Sequence, residues 1–558
     1  MPSPRGRRNN NKQEQHAVQP FLLSSVTEHP QRRRSAAMSE LATRPRANSL
    51  SQVQQDAWSR RDARISEINA QWNERLAGAA IMPQPRAVEW PAEWPSRRTP
   101  PRAVEPVTNA GCALPVATGV EPIPNGRAAG LSDYCADVVR RAGADFAGPF
   151  YVVDLGAAEG LLKAWRDAFP RVQPRYAVKC FPDAGLVRKL ASLGCGFDCA
   201  SEAEARLALE AGCAPSNIVF ANPCKLPADV AFLHKSDIGL TTFDCLDELD
   251  KLCEVDCRVL LRIRADDAAC RLPFGAKYGC LEGEIEGLIE ACEERQIRLA
   301  GVAFHVGSGA RSPGAFADAV EIAKRIFNRY AEMRPRAPPL DVLDVGGGFC
   351  GGFDDAGCAH VSASGDTSVV QALNAALARY FPGDEYAYLQ IIAEPGRYFA
   401  EAAAALCCRV VGARRRDLVQ NETRIEERQC WISDGVYGAF NAIVYDGWLP
   451  HAIVVGGSSA DTSGAVTTVF GPTCDSLDVV FSRVADAPLI RRGDWLLFPC
   501  CGAYTSAGAC DFNGLPATAH AGVRTRYIHS KSLAATAADA ALAVIYSDRP
   551  PMEVRRYF

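Results

Sequence analysis

No apolar run in this 558-residue chain approaches the ~20 residues that cross a bilayer, so no membrane span is expected. Charge of one sign is also lacking. The 61 Lys and Arg against 65 Asp and Glu leave a formal net charge of -4, which gives no broad field to draw nucleic acid or a membrane surface. The 22 cysteines contain no short CxxC…CxxC frame, which argues against zinc or a disulfide scaffold. Several of them, such as Cys195, Cys213 and Cys292, fall inside apolar patterns and read as buried free thiols. That usage belongs to a reducing compartment, here expected to be the cytoplasm. With 48% apolar and 23% charged residues the remainder is ordinary for a globular chain, long enough for two or three domains.

The first 145 residues read as a largely disordered extension. Residues 1–50 are rich in Arg, Asn, Gln, Ser and Pro, with basic clusters at 5–8 and 32–34, and residues 82–106 are dense in proline. An Arg-rich transit peptide or a polyanion-binding tail would share this composition, and nothing in the residues separates them. Folded structure is expected from about Phe146, where GPFYVVDLG reads as a strand.

Between Tyr176 and Arg397 eight short apolar runs recur, each ending in polar residues or glycine. They are YAVK, GFDCAS, IVFANP, LTTFD, VLLRIRAD, VAFHVGSG, LDVLDVGGG and IIAEPGR. β-branched and aromatic residues dominate their first halves, as in fully buried parallel strands. Helical stretches such as 202–211 and 316–333 lie between them. The pattern predicts an α/β fold, a (β/α)8 barrel over 155–403, with chemistry at the strands' C-terminal ends. Beyond it, short strands at 407–411, 429–433, 442–445, 467–470 and 494–498 without long helices predict an all-β second domain over 404–530. Residues 146–154 would join that domain. Residues 456–464 read as a loop, and 531–558 as a tail whose Ala-rich run, 533–544, is a helix or loose chain.

The strand ends gather a constellation. Lys179 closes its run, either as a rim lysine reaching solvent or as a Schiff-base lysine whose pKa desolvation lowers. The triplet Gly346-Gly347-Gly348 follows the seventh strand, and Glu394-Pro395-Gly396-Arg397 the eighth, which is where such barrels seat phosphate. Glycines let backbone N–H groups approach an anion, and Arg397 can pair with it. Lysine, phosphate site and buried carboxylate together point to pyridoxal 5'-phosphate, with Glu394 partnering the ring nitrogen. His305 is then either a packed core histidine or a group against the ring face, and Ser308 a phosphate donor.

These residues closely resemble the eukaryotic ornithine decarboxylase family. The likeness spans about 149–516 and includes YAVKC, GFDCAS, FANPCK, FHVGSG, DVGGGF, AEPGRYF, DGVYGAFN, FGPTCDSLD, GDWLLF, GAYT and FNG. It implies an alanine-racemase-like barrel with a β domain, pyridoxal phosphate, a diamino acid substrate and a homodimer with shared sites. An antizyme-like regulator is a further implied partner. Residue by residue, the resemblance makes Lys179 the cofactor lysine, Glu394 the ring-nitrogen partner and His305 the stacking residue. Asp198 and Arg262 line the cofactor pocket, while Ser308, Gly346, Gly347, Gly348, Arg397 and Tyr504 hold phosphate. Cys474 would protonate the α-carbon, a role open to a free thiol, whose pKa of about 8.5 leaves it mostly protonated at neutral pH. Asp446 and Asp475, with Tyr445 and Phe512, would hold the substrate's distal end. Two aspartates there attract an ammonium and repel a carboxylate, which disfavours diaminopimelate. Cys474, Asp475 and Phe512 would come across the dimer interface, and Lys277 and Asp478 would pair between subunits.

The implied activity is decarboxylation of L-ornithine to putrescine and carbon dioxide. The alternatives are decarboxylation of lysine or arginine, and a catalytically inactive, antizyme-inhibitor-like homologue. The chain departs from the family pattern at Cys350, in the longer 270–279 segment, and at Gly447-Trp448, where Trp448 is expected to reshape the distal pocket.

Overall fold

The computed structural model describes residues 121–546 except 124–126, 144–145, 147, 266–269, 271–276, 354–358, 363–365, 421–422, 458–464, 516–524 and 531–543. The expected extension up to residue 120, most of the 456–464 loop, residues 531–543 of the Ala-rich run and the end of the tail from 547 lie outside the described residues.

Order begins earlier than the sequence suggested. After β1 (Glu121–Ile123), a helix at Arg127–Ala142 precedes β2 (Phe150–Asp154). Its Leu131, Cys135 and Val138 are buried against Phe150, Cys407 and Trp495. The expected start near Phe146 therefore misses an amphipathic helix whose apolar side packs on the β domain.

The barrel strands are β3 (Val172–Ala177), β4 (Gly196–Cys199), β5 (Ile218–Phe220), β6 (Leu240–Phe243), β7 (Arg258–Arg262), β8 (Arg298–Ala303) and β9 (Val342–Asp344). A short hairpin, β10 (Cys350–Phe353) and β11 (Ala359–Ser362), precedes the eighth barrel strand, β12 (Gln390–Ala393). All eight pair in parallel and close in the order β12-β3-β4-β5-β6-β7-β8-β9. Val219, Leu240, Leu260, Ala300, Val342 and Ile392 fill the interior as a packed layer, so the barrel is a solid platform rather than a pore. Caps start the helices that follow the strands: Asp183 Oδ1 accepts from Leu186 N at 2.8 Å just after Lys179, and Ser201 Oγ accepts from Glu204 N at 3.4 Å just after Asp198.

The second domain contains β13 (Ala404–Gln420), β14 (Thr423–Ile432), β15 (His451–Val454), β16 (Val466–Phe470), β17 (Val479–Ala485), β18 (Trp495–Phe498), β19 (Arg526–Ser530) and β20 (Val544–Tyr546). With β1 and β2 they form one ten-stranded sheet. The expected strand at 442–445 is instead a helical turn, Asn441–Tyr445. Its apolar run matches a strand, but Asn441 Nδ2 donates to Gly438 O at 2.7 Å and ties the backbone into a turn.

Aromatic packing fixes the two loops that the sequence assigned to phosphate. Phe349, directly after the glycine triplet, lies 5.0 Å from Trp165 and 4.7 Å from Phe316 between ring centroids. Tyr398, directly after Arg397, packs on Trp165 at 5.2 Å and donates its hydroxyl to Leu161 O at 2.7 Å. One buried tryptophan thus braces both turns.

Candidate active site

Lys179 sits in a single 3-10 turn, Val178–Cys180, at the end of β3. Its side chain keeps 40% of its accessibility, and its ammonium pairs with Asp198, which is fully buried at the end of β4. Burial works against this ammonium, but the Asp198 and Glu394 carboxylates outweigh it and hold its pKa above the usual lysine value. The sequence reading expected the opposite sign. It weighed desolvation alone, whereas the barrel places two carboxylates on the amine.

Glu394 and Asp344 are both buried, at the ends of β12 and β9. Burial first, then Asp344 and Asp198, push the Glu394 carboxyl well up. Asp344 is pushed up to about 7, mainly by burial, and is hydrogen-bonded to Glu394. Two buried carboxyls in contact share a proton more readily than they both ionise. Asp344 also closes the glycine turn, its Oδ1 accepting from Gly346 N at 2.9 Å.

His305 is held by the turn behind it, where Gly307 N donates to Nδ1 at 3.0 Å. That bond makes Nδ1 an acceptor. Burial, Arg262 and Lys179 together lower the ring's pKa well below its usual value, so the imidazole is neutral. The triplet touches it from the other side. A Cβ on Gly347 would lie 2.7 Å from His305 Nε2 and 2.8 Å from Glu394 O, and one on Gly346 would lie 2.0 Å from Phe304 O. Gly346 (φ +66°) and Gly348 (φ +102°) further adopt backbone that side chains disfavour.

Arg397 is buried on the first turn of the helix after β12. Its Nη2 lies 3.5 Å from Ser308 Oγ, and its guanidinium sits 5.2 Å from the Tyr504 ring centroid. Ser308 and Tyr504 of the expected phosphate group therefore gather around one cation. Unexpectedly, Arg397 Nη2 also makes a 2.5 Å ion pair with Asp446, which the resemblance had assigned to substrate. Asp446 and Asp475 consequently have different partners. Asp475 is half-buried and accepts from the Tyr437 hydroxyl.

Cys474, Asp475 and Phe512 form a separate cluster on the β-domain surface. Cys474 N donates to Asn513 Oδ1 at 2.8 Å, and Phe512 stacks on Tyr437 at 4.1 Å. Tyr445 is 69% exposed, whereas its sequence neighbour Asp446 is buried. Asp478 is buried in its own chain, accepting from Val436 N at 2.8 Å and Thr473 N at 2.9 Å. The salt bridge implied between Lys277 and Asp478 thus meets a carboxylate already engaged with backbone amides. Trp448 stacks on Phe440 at 6.1 Å and packs, half-buried, against the core.

Two residues escaped the sequence reading. Asp344 was passed over as the lead-in to the glycines, although a carboxylate before a buried triplet is a signal. Arg175, fully buried in β3, leaves Nε and Nη1 without a hydrogen-bond partner, and Gly196 gives it room, since a Cβ there would lie 3.1 Å from Arg175 Cγ. Only its odd position in an apolar strand could have flagged it.

The donor set suits pyridoxal phosphate. Lys179 and Arg262 face the three carboxyls Asp198, Asp344 and Glu394, and Asp198 Oδ1 and Arg397 Nε are buried without partners. A cationic ring nitrogen would offset the charge of these carboxyls beside Glu394, and an anionic phosphate would partner the open Nε of Arg397. Among the described residues no group of His, Cys, Asp and Glu is arranged to hold a metal ion, and no helix is long and apolar enough to cross a membrane.

Comparison with known proteins agrees. Residues 155–401 match the family described as "Pyridoxal-dependent decarboxylase, pyridoxal binding domain". The chloroplastic ornithine decarboxylase of Nicotiana glauca is 38% identical over 435 residues, covering 75% of this chain and 95% of that protein. Antizyme inhibitor 2 of Xenopus laevis is 36% identical over 373 residues, covering 65% of this chain and 78% of that one. The crystal structure of the Paramecium bursaria Chlorella virus arginine decarboxylase superimposes with a TM-score of 0.62 at 31% identity, over 71% of this chain and all of that one. The barrel, its β domain and these likenesses together establish that the chain belongs to the pyridoxal-phosphate-dependent family of ornithine, lysine and arginine decarboxylases.

Proposed function

We propose that this chain decarboxylates L-ornithine to putrescine and carbon dioxide, with pyridoxal phosphate held at Lys179. The observation that carries the reading is the convergence of Lys179, Asp198, His305 and Glu394 on one barrel mouth beside the Gly346–Gly348 turn. Relatives named as ornithine decarboxylases support the substrate.

Bound there, the cofactor supplies an electron sink for the charge left on the α-carbon when carbon dioxide departs. The protein's own groups do the rest. Lys179 Nζ holds the aldehyde end, and Asp198 positions that nitrogen. Glu394 keeps a proton on the ring nitrogen, with Asp344 holding the second carboxyl of the pair. His305, neutral and fixed through Nδ1, covers a ring face. Arg397, Ser308, Tyr504 and the glycine amides seat the phosphate, and Arg262 adds positive charge to the pocket wall. For Arg397 to do so it shares or releases Asp446, which frees that carboxylate for the substrate's distal ammonium.

Cys474 and its neighbours support a homodimer. Cys474 sits exposed with Leu477, Phe512 and Leu515, beside half-buried Asp475, an apolar patch carrying a proton donor and an acid. A second copy of the chain would bury the patch and receive Cys474 as the acid that protonates the α-carbon. Cys195, Cys213 and Cys292 are buried free thiols, which supports the cytoplasm as the compartment. The inactive, regulator-binding reading draws on the antizyme-inhibitor relative. It is disfavoured by the intact Lys179, His305, Glu394, Arg397 and Cys474.

The test is carbon dioxide release from ornithine, lysine, arginine and diaminopimelate, side by side, with and without added pyridoxal phosphate. Ornithine should lead and Lys179→Ala should abolish release. Absence of release from every substrate by the cofactor-loaded protein would overturn the proposal.

A further inference from the structure

We propose that the β domain carries a second anion site, an arginine-lined groove that binds a small, multiply charged phosphoryl anion of the inorganic pyrophosphate class. The groove has a volume of about 230 Å³ and lies between β13, β14, β16 and the turn at 489–492. Five of its eleven lining residues are arginine, namely Arg414, Arg415, Arg428, Arg491 and Arg492, and none is acidic. The chain as a whole carries a net charge of -4, so this concentration of positive charge does not follow from composition.

The strand register makes the excess costly without an anion. Arg415 stands directly opposite Arg428 on the antiparallel β13–β14 pair, a like-charge placement that destabilises a sheet. Glu426 is shared between them: its Oε1 lies 2.7 Å from Arg428 Nε and 3.8 Å from Arg415 Nε. Arg414 borders the groove through its backbone, and its side chain turns to the other face of the sheet. Its Nε donates to Gln429 Oε1 at 2.6 Å, its guanidinium lies 4.8 Å over Trp431, and buried Gln429 is fixed in turn by Glu427 at 2.7 Å. The side chains of Arg491 and Arg492 make no ion pair among the described residues, while their turn is set by Arg491 N donating to Asp494 Oδ2 at 2.7 Å. Guanidinium forks on three elements, some prealigned, suit an anion with several oxygens and more than one charge. The small groove volume and the flanking Glu426 and Asp417 favour a compact ligand over an extended polyanion.

The experiment is calorimetric titration of the pyridoxal-phosphate-loaded enzyme with inorganic pyrophosphate at low, constant ionic strength. The wild type should bind one pyrophosphate per chain, more weakly as salt rises, with the cofactor's absorbance band unchanged. The Arg491→Gln/Arg492→Gln double variant should decarboxylate normally and bind at least tenfold more weakly. Arg415→Gln should also weaken binding while raising the melting temperature, because it removes the like-charge pair; a merely structural arginine would lower it. Arg325→Gln/Arg329→Gln, on the barrel helix, should bind as the wild type does. Failure of the wild type to bind, equal affinity in the Arg491/Arg492 variant, or binding that tracks loss of the cofactor band would overturn the proposal.

Discussion

Gly347→Ala probes the site at its tightest point. The added Cβ would sit 2.7 Å from His305 Nε2 and 2.8 Å from Glu394 O, about 0.7 and 0.6 Å inside ordinary contact. The imidazole cannot simply swing away, because Gly307 N holds its Nδ1. The Glu394 oxygen belongs to the backbone at a barrel strand end, so it cannot give either. Overpacking of this kind costs about 1–3 kcal/mol. If the cost falls on the loaded geometry, pyridoxal phosphate affinity drops by about 5- to 150-fold. The assay is absorbance titration of the cofactor-free protein with pyridoxal phosphate, paired with urea melts. A His305→Ala background supplies the control, since removing the ring should recover part of the loss as a coupling energy of about 0.5 kcal/mol or more. Unchanged affinity and stability in Gly347→Ala, or strict additivity with His305→Ala, would refute the packing argument.

Two further outcomes follow from the carboxylates. The Asp344 carboxyl is raised from an ordinary value near 4 to about 7 in the fold. A group raised in this way contributes stability that is full below pH ~4 and lost as pH climbs through ~7, of the order of 4 kcal/mol at most for an uncoupled group. Asp344→Asn should therefore flatten the stability of the cofactor-free protein between pH 5 and 8 in urea melts, and a profile parallel to the wild type would contradict the assignment. Asp446→Asn removes the carboxylate that pairs with Arg397. Pyridoxal phosphate binding should hold or tighten, while the KM for ornithine rises about 10- to 100-fold, the worth of one charge-assisted hydrogen bond; weaker cofactor binding with unaltered KM would reverse the roles proposed for this pair.

The barrel was legible because buried parallel strands write themselves as apolar runs, and all eight runs became strands. The contents of the mouth were legible for the same reason, since Lys179, Asp198, His305, the glycines and Glu394 stand at the ends of those runs. What stayed hidden depends on proximity across elements. The sign of the Lys179 shift needed Asp198 and Glu394 in place, and the Arg397–Asp446 pair joins residues 49 apart in sequence. The turn at Asn441–Tyr445 mimics a strand in composition, and only the Asn441 side-chain bonds to Gly438 O and Thr505 O reveal why it coils. Asp344 and Arg175 carry charge at positions that the strand pattern reserves for apolar groups, which flags a buried site without naming the partner.

The reaction proposed for this barrel depends on Lys179 as the lysine that carries the cofactor. Borohydride treatment of the loaded protein fixes pyridoxal phosphate covalently to its lysine, and peptide mass spectrometry then locates it. The pyridoxyl mass should appear on the peptide containing Lys179, one per chain, and vanish in Lys179→Ala. Its appearance on another lysine, Lys225 or Lys277 for example, or its persistence in the variant would contradict the site described for this barrel.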